Sequence, residues 1–321
     1  MTANSSLRLA VDIGGTFTDT VLALGDNIIA SSKTLTTHGN PSLGAVEGTE
    51  QVMAQSGYGL ADVTGFIHGT TLATNALIER RGARVATITT EGFRDILEIA
   101  YERRYDQYDI SLEKPDLLVP RERCLTVAER MSAEGKVLVP LDEGGIDALV
   151  AQIDASGADA VAICLLHAYV NAEHETRLRD RLLAARPDLT ISISSEVSPE
   201  AREFDRLCTT VANVYIQPLM AGYLHQFQQH FTASGLACPS LMMTAGGGMP
   251  TMDTAARFPI RLVDSGPAGG AIMAARIAAG SGHDAVLSFD VGGTTAKLCL
   301  IDQARPQTSR QFEIARAARF I

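Results

Sequence analysis

A turn that occurs twice constrains this chain more than any other feature of its sequence. LAVDIGGTFTDTVLAL runs from Leu9 to Leu24, and LSFDVGGTTAKLCLID runs from Leu287 to Asp302. Aligned without gaps, Asp12 lies over Asp290, Gly14 over Gly292, Gly15 over Gly293 and Thr16 over Thr294, a constant offset of 278 residues. Each copy reads as an apolar strand ending in Asp, a Gly-Gly turn able to take φ > 0, a Thr and a second apolar strand. Without a Cβ in the way, the N–H groups of such a turn can approach a phosphate, while the Asp can hold a magnesium ion or orient a water. A single copy reads better as a plain tight hairpin, because Gly-Gly is a common turn dipeptide. Two copies that both keep the Asp and the Thr, which a turn does not need, point to phosphate chemistry.

The 321 residues are 46% apolar, enough to bury one or two ordinary cores. A formal net charge of -10 and the lack of a Lys/Arg-rich run argue against nucleic acid as a partner. No apolar segment reaches the roughly 18 residues that span a bilayer, and the first residues do not resemble a secretory leader. The five cysteines are far apart and form no CxxC, so neither a disulfide framework nor a zinc cluster is indicated. Cytoplasmic localisation is the expectation. Buried strands are expected at RVATITT and DAVAICLLHAY, and helices at GGIDALVAQIDASG, HETRLRDRLLAARP and CTTVANVYIQPLMAGYLHQFQQHFTASG. This alternation implies an α/β protein with parallel or mixed sheets. YDQYDISLEKPDLLVPRER, with two prolines and no period, reads as a long loop, and a domain boundary is expected near SSEVSPEAREFDR.

Three further stretches offer chemistry. In HGTTLATNALIERRG, Thr70 or Thr71 can cap a helix running to about Arg81, placing His68 and the threonine hydroxyls where anions are stabilised. The same residues also read as an ordinary capped helix beside a structural histidine. In SGPAGGAIMAARIAAG, a turn holding Gly266 and Gly269 feeds an Ala-rich helix with Pro267 near its first turn, a second candidate anion cradle, or close helix packing through small residues. His167, His174 and Glu175 resemble metal ligands, but seven residues and a strand-to-helix junction separate the two histidines, which favours structural roles.

Paired DxGGT-like hairpins resemble the phosphate loops of the superfamily of actin, heat-shock ATPases and sugar kinases. DIGGTFTDT, HGTTLATNALIERRGARVATITTEGFRDILEI, LVPLDE, SSEVSPEAREFDR, TTVANVYIQPLM, SGPAGG and DVGGTTAKLCLID are together similar to one family within it. That family is hydantoinase A, the large subunit of ATP-dependent hydantoinases and 5-oxoprolinases, related to acetone and acetophenone carboxylase subunits. The resemblance implies an actin-like or sugar-kinase-like ATPase fold of duplicated domains, here 1–200 and 201–321, with the second incomplete because only 19 residues follow Asp302. An N-terminal portion of a longer chain is expected, and the incomplete second domain argues against activity of this portion by itself.

The resemblance further implies ATP with Mg2+ or Mn2+, a hydantoinase-B-type small subunit as partner, and phosphorylation of an unreactive carbonyl oxygen in a cyclic amide. The alternatives are a carboxylase's ATP-handling subunit, a truncated nucleotide-binding subunit and, more remotely, a sugar kinase. On this view Asp12 and Asp290 hold the metal and orient water. Gly14, Gly15, Thr16, Gly292, Gly293 and Thr294 cradle phosphates, as do Gly266 and Gly269. Asp19, His68, Thr70 and Thr71 stand at the reacting end, and Arg104, in YERRYDQYD, lies on the substrate side. Two positions depart from the family pattern. Thr244 and Ala245 stand where Ser-Asn is usual, and Lys297 stands where an acid is usual, the position that Asp19 holds after the first turn. A cation there can neutralise a transferred phosphoryl group.

Overall fold

In the computed structural model, residues 6–37, 39–101, 108, 111, 116–291 and 296–309 are described. The strands in chain order are β1 (Leu7–Ile13), β2 (Phe17–Leu24), β3 (Asn27–Leu35), β4 (Gly65–Thr70), β5 (Val85–Thr90), β6 (Cys124–Val127), β7 (Arg130–Met131), β8 (Val137–Val139), β9 (Ala160–Cys164), β10 (Thr190–Ile193), β11 (Ser240–Met242), β12 (Val286–Val291), β13 (Ala296–Asp302) and β14 (Arg305–Pro306). The helices are α1 (Ser42–Ser56), α2 (Leu72–Ile78), α3 (Ile96–Ile99), α4 (Ile146–Ser156), α5 (Glu173–Ala185), α6 (Ser194–Val197), α7 (Glu203–Ala233), α8 (Met252–Arg257) and α9 (Ser265–Gly280). The described residues of Met1–Asn75 and Met220–Phe312 form one compact unit, and those of Ala76–Leu219 form a second.

The first unit is built on the sheet β11-β4-β1-β2-β3, in which β1 runs parallel to β4 and antiparallel to β2. Residues alternate along β1, so Leu7, Leu9, Val11 and Ile13 are buried while Arg8 and Asp12 face out. One face of the unit's core is aromatic. Phe66 on β4 stacks with Phe227 and packs against Phe231 of α7, with ring centroids 5.9 and 5.0 Å apart. His68, fully buried on the same face of β4, lies parallel to Phe227 at 4.2 Å. Its Nδ1–H donates to the Val11 carbonyl at 2.9 Å, which leaves Nε2 to accept from the Tyr223 hydroxyl at 2.7 Å. Both hairpins of the repeat belong to this unit, the second as β12 and β13 of an antiparallel sheet with β14.

The second unit is organised by an all-parallel sheet, β10-β9-β5-β6. Its central strands are buried along their whole length, as a parallel sheet covered on both faces requires. Leu149 and Ile153 of α4 and Leu178 and Leu182 of α5 join Ile88, Val161 and Ile163 in one core. Two buried polar networks brace it. Arg206, 1% exposed, donates to the Ser194 hydroxyl, the Glu200 carbonyl and the Leu165 carbonyl, while Glu175 accepts from Leu165 N–H, Ser195 N–H and the Ser194 hydroxyl. Burial raises the Glu175 pKa above its ordinary value, and the hydrogen bonds to Ser194, Ser195 and Leu165 oppose that shift. In the other network, His174 Nδ1 meets Glu129 at 2.7 Å and Thr90 donates to the same carboxylate. His174 and Glu175 therefore engage different partners, and His167 lies in a turn with φ +56°.

Three elements differ in extent from the sequence reading. The helix after HGTT ends at Ile78, three residues before Arg81. The segment SGPAGG is the first turns of α9 itself, not a loop that feeds it. Neither Gly14 nor Gly15 takes positive φ. Gly14 is required instead by close approach, since a Cβ there would stand 3.0 Å from the Phe17 carbonyl oxygen that its own N–H bonds. The greater part of the long loop lies outside the described residues.

Two outcomes follow from the buried polar groups. Replacing Arg206 with Leu strands two carbonyls and a hydroxyl, and urea denaturation should show a loss of about 3 kcal/mol or more. His68 is held neutral, with burial pushing its pKa down to about 4 from 6.5. The unfolded chain takes up a proton as pH falls through 6.5 and the folded chain does so only near 4, so this group withdraws stability across that interval. The slope of unfolding free energy between pH 6.5 and 4 should be shallower in His68→Asn than in the parent.

Candidate functional site

On a pleated sheet, residues paired across strands share a face, so the ladders decide which side chains meet. The first hairpin pairs Asp12 with Asp19, and the second pairs Asp290 with Lys297. The offset of 278 that aligns the two turns thus also aligns these cross-strand pairs. One row of the main sheet reads Gly69, Asp12, Asp19, Lys33 from β4 to β3. Two like charges directly opposed destabilise a ladder, and the row relieves this by neutralising one of them. Lys33 Nζ donates to both oxygens of Asp19, at 2.6 and 2.7 Å. Lys297 is held in a comparable way: its ammonium donates to Asp264, immediately before α9.

The two strand-end aspartates remain. Among the described residues, no hydrogen bond or ion pair engages the carboxylate of Asp12 or of Asp290. The Asp12 side chain is open to water on the outer face of the sheet, with protein close enough around it to remove part of its solvation. Its pKa is raised above the usual carboxylate value by this desolvation first, then by Asp19 and Asp290, against a smaller opposing effect of Lys33. At the turn itself, Thr36 Oγ1 donates to the Gly14 carbonyl at 2.9 Å and Thr36 N–H donates to the Thr16 carbonyl at 2.9 Å. These bonds fix the turn's backbone while the exposed N–H groups of Gly15 and Thr16 have no acceptor among the described residues.

The remaining candidates separate by environment. Thr70 is buried and its hydroxyl accepts from Leu72 N–H at 3.2 Å, at the start of α2. Thr71 Oγ1 donates to the Ile13 carbonyl at 3.4 Å, at the end of β1. His68 has both ring nitrogens engaged inside the core. Asp264 takes a left-handed conformation, φ +63°, and its N–H donates to Thr74 Oγ1 at 3.2 Å, tying α9 to α2. Beyond it, the buried Ser265 hydroxyl has no partner, and a Cβ on Gly266 would meet nothing within 4 Å. Gly269 has only the end of Met243 nearby, at 3.7 Å. Gly292, Gly293, Thr294 and Arg104 lie outside the described residues. Lys33, Thr36, Gly69 and Asp264 were not singled out from sequence.

No group of three or more His, Cys, Asp or Glu among the described residues is arranged to hold a metal. Magnesium does not need one, because it keeps several waters and commonly takes one or two carboxylates with the oxygens of a phosphate. Two accessible carboxylates without counter-ions, with the free N–H donors of the first turn close to Asp12 in sequence, fit that donor set.

Comparison with known proteins places this geometry in context. Residues 8–185 match the model of the hydantoinase/oxoprolinase N-terminal region, and residues 206–319 match that of hydantoinase/oxoprolinase. The chain is 31% identical to caprolactamase subunit alpha of Pseudomonas jessenii over 96% of its own length and 45% of that protein's. It is 28% identical to 5-oxoprolinase 1 of Arabidopsis thaliana, covering 94% of itself and 26% of the relative. A nucleotide-free structure of acetone carboxylase superposes with a TM-score of 0.84 at 26% identity, covering 94% of this chain and 44% of the other. The chain therefore spans less than half the length of these relatives, and its α/β ATPase-like fold is theirs. With the two models taking in most of its residues, the chain belongs to the hydantoinase/oxoprolinase family.

Proposed function

We propose that this chain handles ATP in the hydrolysis of a cyclic amide, by phosphorylation of the carbonyl oxygen. The observation that carries the reading is the pattern of charges on the two hairpins. Each ends its first strand in a carboxylate without an ion pair, Asp12 or Asp290, while the residue opposite, Asp19 or Lys297, is neutralised by Lys33 or Asp264. Support comes also from the family, whose members include a protein described as an ATP-dependent caprolactamase and proteins named 5-oxoprolinase.

An amide carbonyl resists water because nitrogen lone-pair donation removes its electrophilicity. Attack of the oxygen on the terminal phosphorus, with ADP leaving and the nitrogen giving up its proton, converts the amide into an imidate whose carbon carries a phosphate leaving group and is open to water. In this reading Asp12 and Asp290 hold magnesium, which when bound offsets charge on the phosphates. Gly15 and Thr16 direct their N–H groups at phosphate oxygens, and the N-terminus of α9, with Gly266 and Gly269, supplies a second set of donors. Lys297, shared with Asp264, stands at the transferred group. Asp19, Thr70 and Thr71 lie toward the reacting end. Because Lys33 occupies Asp19 and the protein core occupies His68, their part is to set position and local charge. Relatives named as subunits favour a protein partner, for which a hydantoinase-B-type small subunit is the proposal. No helix among the described residues is long and apolar enough to cross a membrane.

The alternative is an ATP-handling subunit of a ketone carboxylase, supported by the acetone carboxylase likeness. ADP release by the chain with its partner, assayed against caprolactam, 5-oxoproline, hydantoin, and acetone with bicarbonate, separates the two. Stimulation by a cyclic amide is expected, and stimulation only by the ketone would favour the carboxylase. Asp12→Asn and Asp290→Asn should each abolish the stimulated turnover while leaving the melting temperature unchanged, since neither side chain packs in a core. A lowered melting temperature with normal turnover would reassign both residues to turn capping. For Lys297→Ala, kcat/KM for ATP should fall at least tenfold, about 1.4 kcal/mol of transition-state stabilisation. A value within a factor of two of the parent would leave Lys297 as a tie between β13 and α9.

A further inference from the structure

The row that holds Asp12 has a glycine at its other end. β4 lies inside the sheet, between β11 and β1, where glycine weakens a strand through backbone entropy and the lack of packing. Gly69 does not take positive φ, so no special backbone conformation calls for it. Space does. A Cβ built on Gly69 would stand 2.6 Å from Asp12 Oδ1 and 3.4 Å from its Cγ, and the three nearest atoms all belong to Asp12. No backbone atom is among them. The other glycine of the strand, Gly65, would meet only the Arg8 side chain at 3.6 Å, an ordinary contact.

Asp12 has reason to lean this way, because its neighbour on the opposite side is the carboxylate of Asp19. The strand beneath it is fixed on both sides of Gly69. His68 bonds the Val11 carbonyl and Tyr223, and Thr71 N–H bonds the Ile13 carbonyl at 3.0 Å. We propose that Gly69 is a positioning residue: by carrying no side chain it leaves the space that the Asp12 carboxylate occupies, and so fixes where that carboxylate is presented to a metal-bound phosphate. This rests on the reading of Asp12 as a metal-holding residue. A methyl group at position 69 drives Oδ1 toward Asp19 or out to solvent. The fold tolerates the change, because the atom that must move is the end of a side chain, but the direction of the carboxylate is lost.

The test is binding of Mn2+ in the presence of ATP to the 321-residue chain, followed by the electron paramagnetic resonance of free Mn2+. Gly69→Ala should weaken binding at least tenfold with an unchanged melting temperature, and Gly65→Ala should bind as the parent does. In an Asp12→Asn background, adding Gly69→Ala should produce no further loss. Binding by Gly69→Ala within a factor of two of the parent, or an equal loss in both backgrounds, would overturn the proposal. If Gly69→Ala is too unstable to assay, its melting temperature is compared in an Asp12→Ala background. Recovery supports a clash with the carboxylate, and an equal deficit overturns it. Parent-like binding by Asp12→Asn, or no binding by the parent, would remove the metal reading itself and the positioning role with it.

Discussion

The pairing of β1 with both of its neighbours is the constraint on which the site depends. It places Gly69, Asp12, Asp19 and Lys33 in one row on one face, and a slip of one residue in any ladder would turn a member of that row to the other side. Within the row the electrostatics are unequal by construction. Lys33 satisfies Asp19 with two short contacts, so repulsion between the two carboxylates is softened by a neutralised partner, and Asp12 is left without an ion pair or hydrogen bond of its own among the described residues. Both members of the Lys33–Asp19 pair are about half exposed, so the pair adds little to stability. Its effect is on which carboxylate remains free.

Register is secured from beneath by apolar packing. β1 sends alternate residues into the core, and β4 sends Phe66 and His68 into the aromatic layer formed with Phe227 and Phe231. A slip of β4 would put an imidazole and a phenyl ring in water and would break both hydrogen bonds of His68. The histidine that sequence reasoning placed near the reacting end therefore acts, in the geometry described, on the strand that carries Gly69 past Asp12.

What the sequence disclosed follows from what can be counted along it. Asp12 against Asp19 and Asp290 against Lys297 are symmetric about their turns, so the repeat itself exposed them. The contact of Lys33 with Asp19 could not be counted. From the β2–β3 turn, Leu24 pairs with Asn27, and continuing in step would set Asp19 against Ser32. A register shift between Leu22 and Ala23 moves the partner by one residue and brings Lys33 opposite instead. Asp264 was hidden for a different reason. Its link to Lys297 joins residues 33 positions apart, and it requires a left-handed backbone at a non-glycine residue, which composition does not signal. The strands and long helices were legible because burial imposes periods of 2 and 3.6 residues.

The two units also show how the same residue types serve different ends. In the second, Glu175 and Arg206 are fully buried, and each carries several hydrogen bonds. A buried charge without such partners would cost several kcal/mol, so these groups are tied to their surroundings, and burial closes them off from a ligand. In the first, Asp12 and Asp290 are accessible to water and have no protein partner among the described residues, so each can meet an ion without first breaking a bond to the protein. Full burial with several hydrogen bonds marks a structural group, and an accessible carboxylate whose neighbour is already neutralised marks one kept for a ligand. By that distinction His174 and Glu175, which resemble metal ligands in sequence, belong with the framework, and the two strand-end aspartates do not.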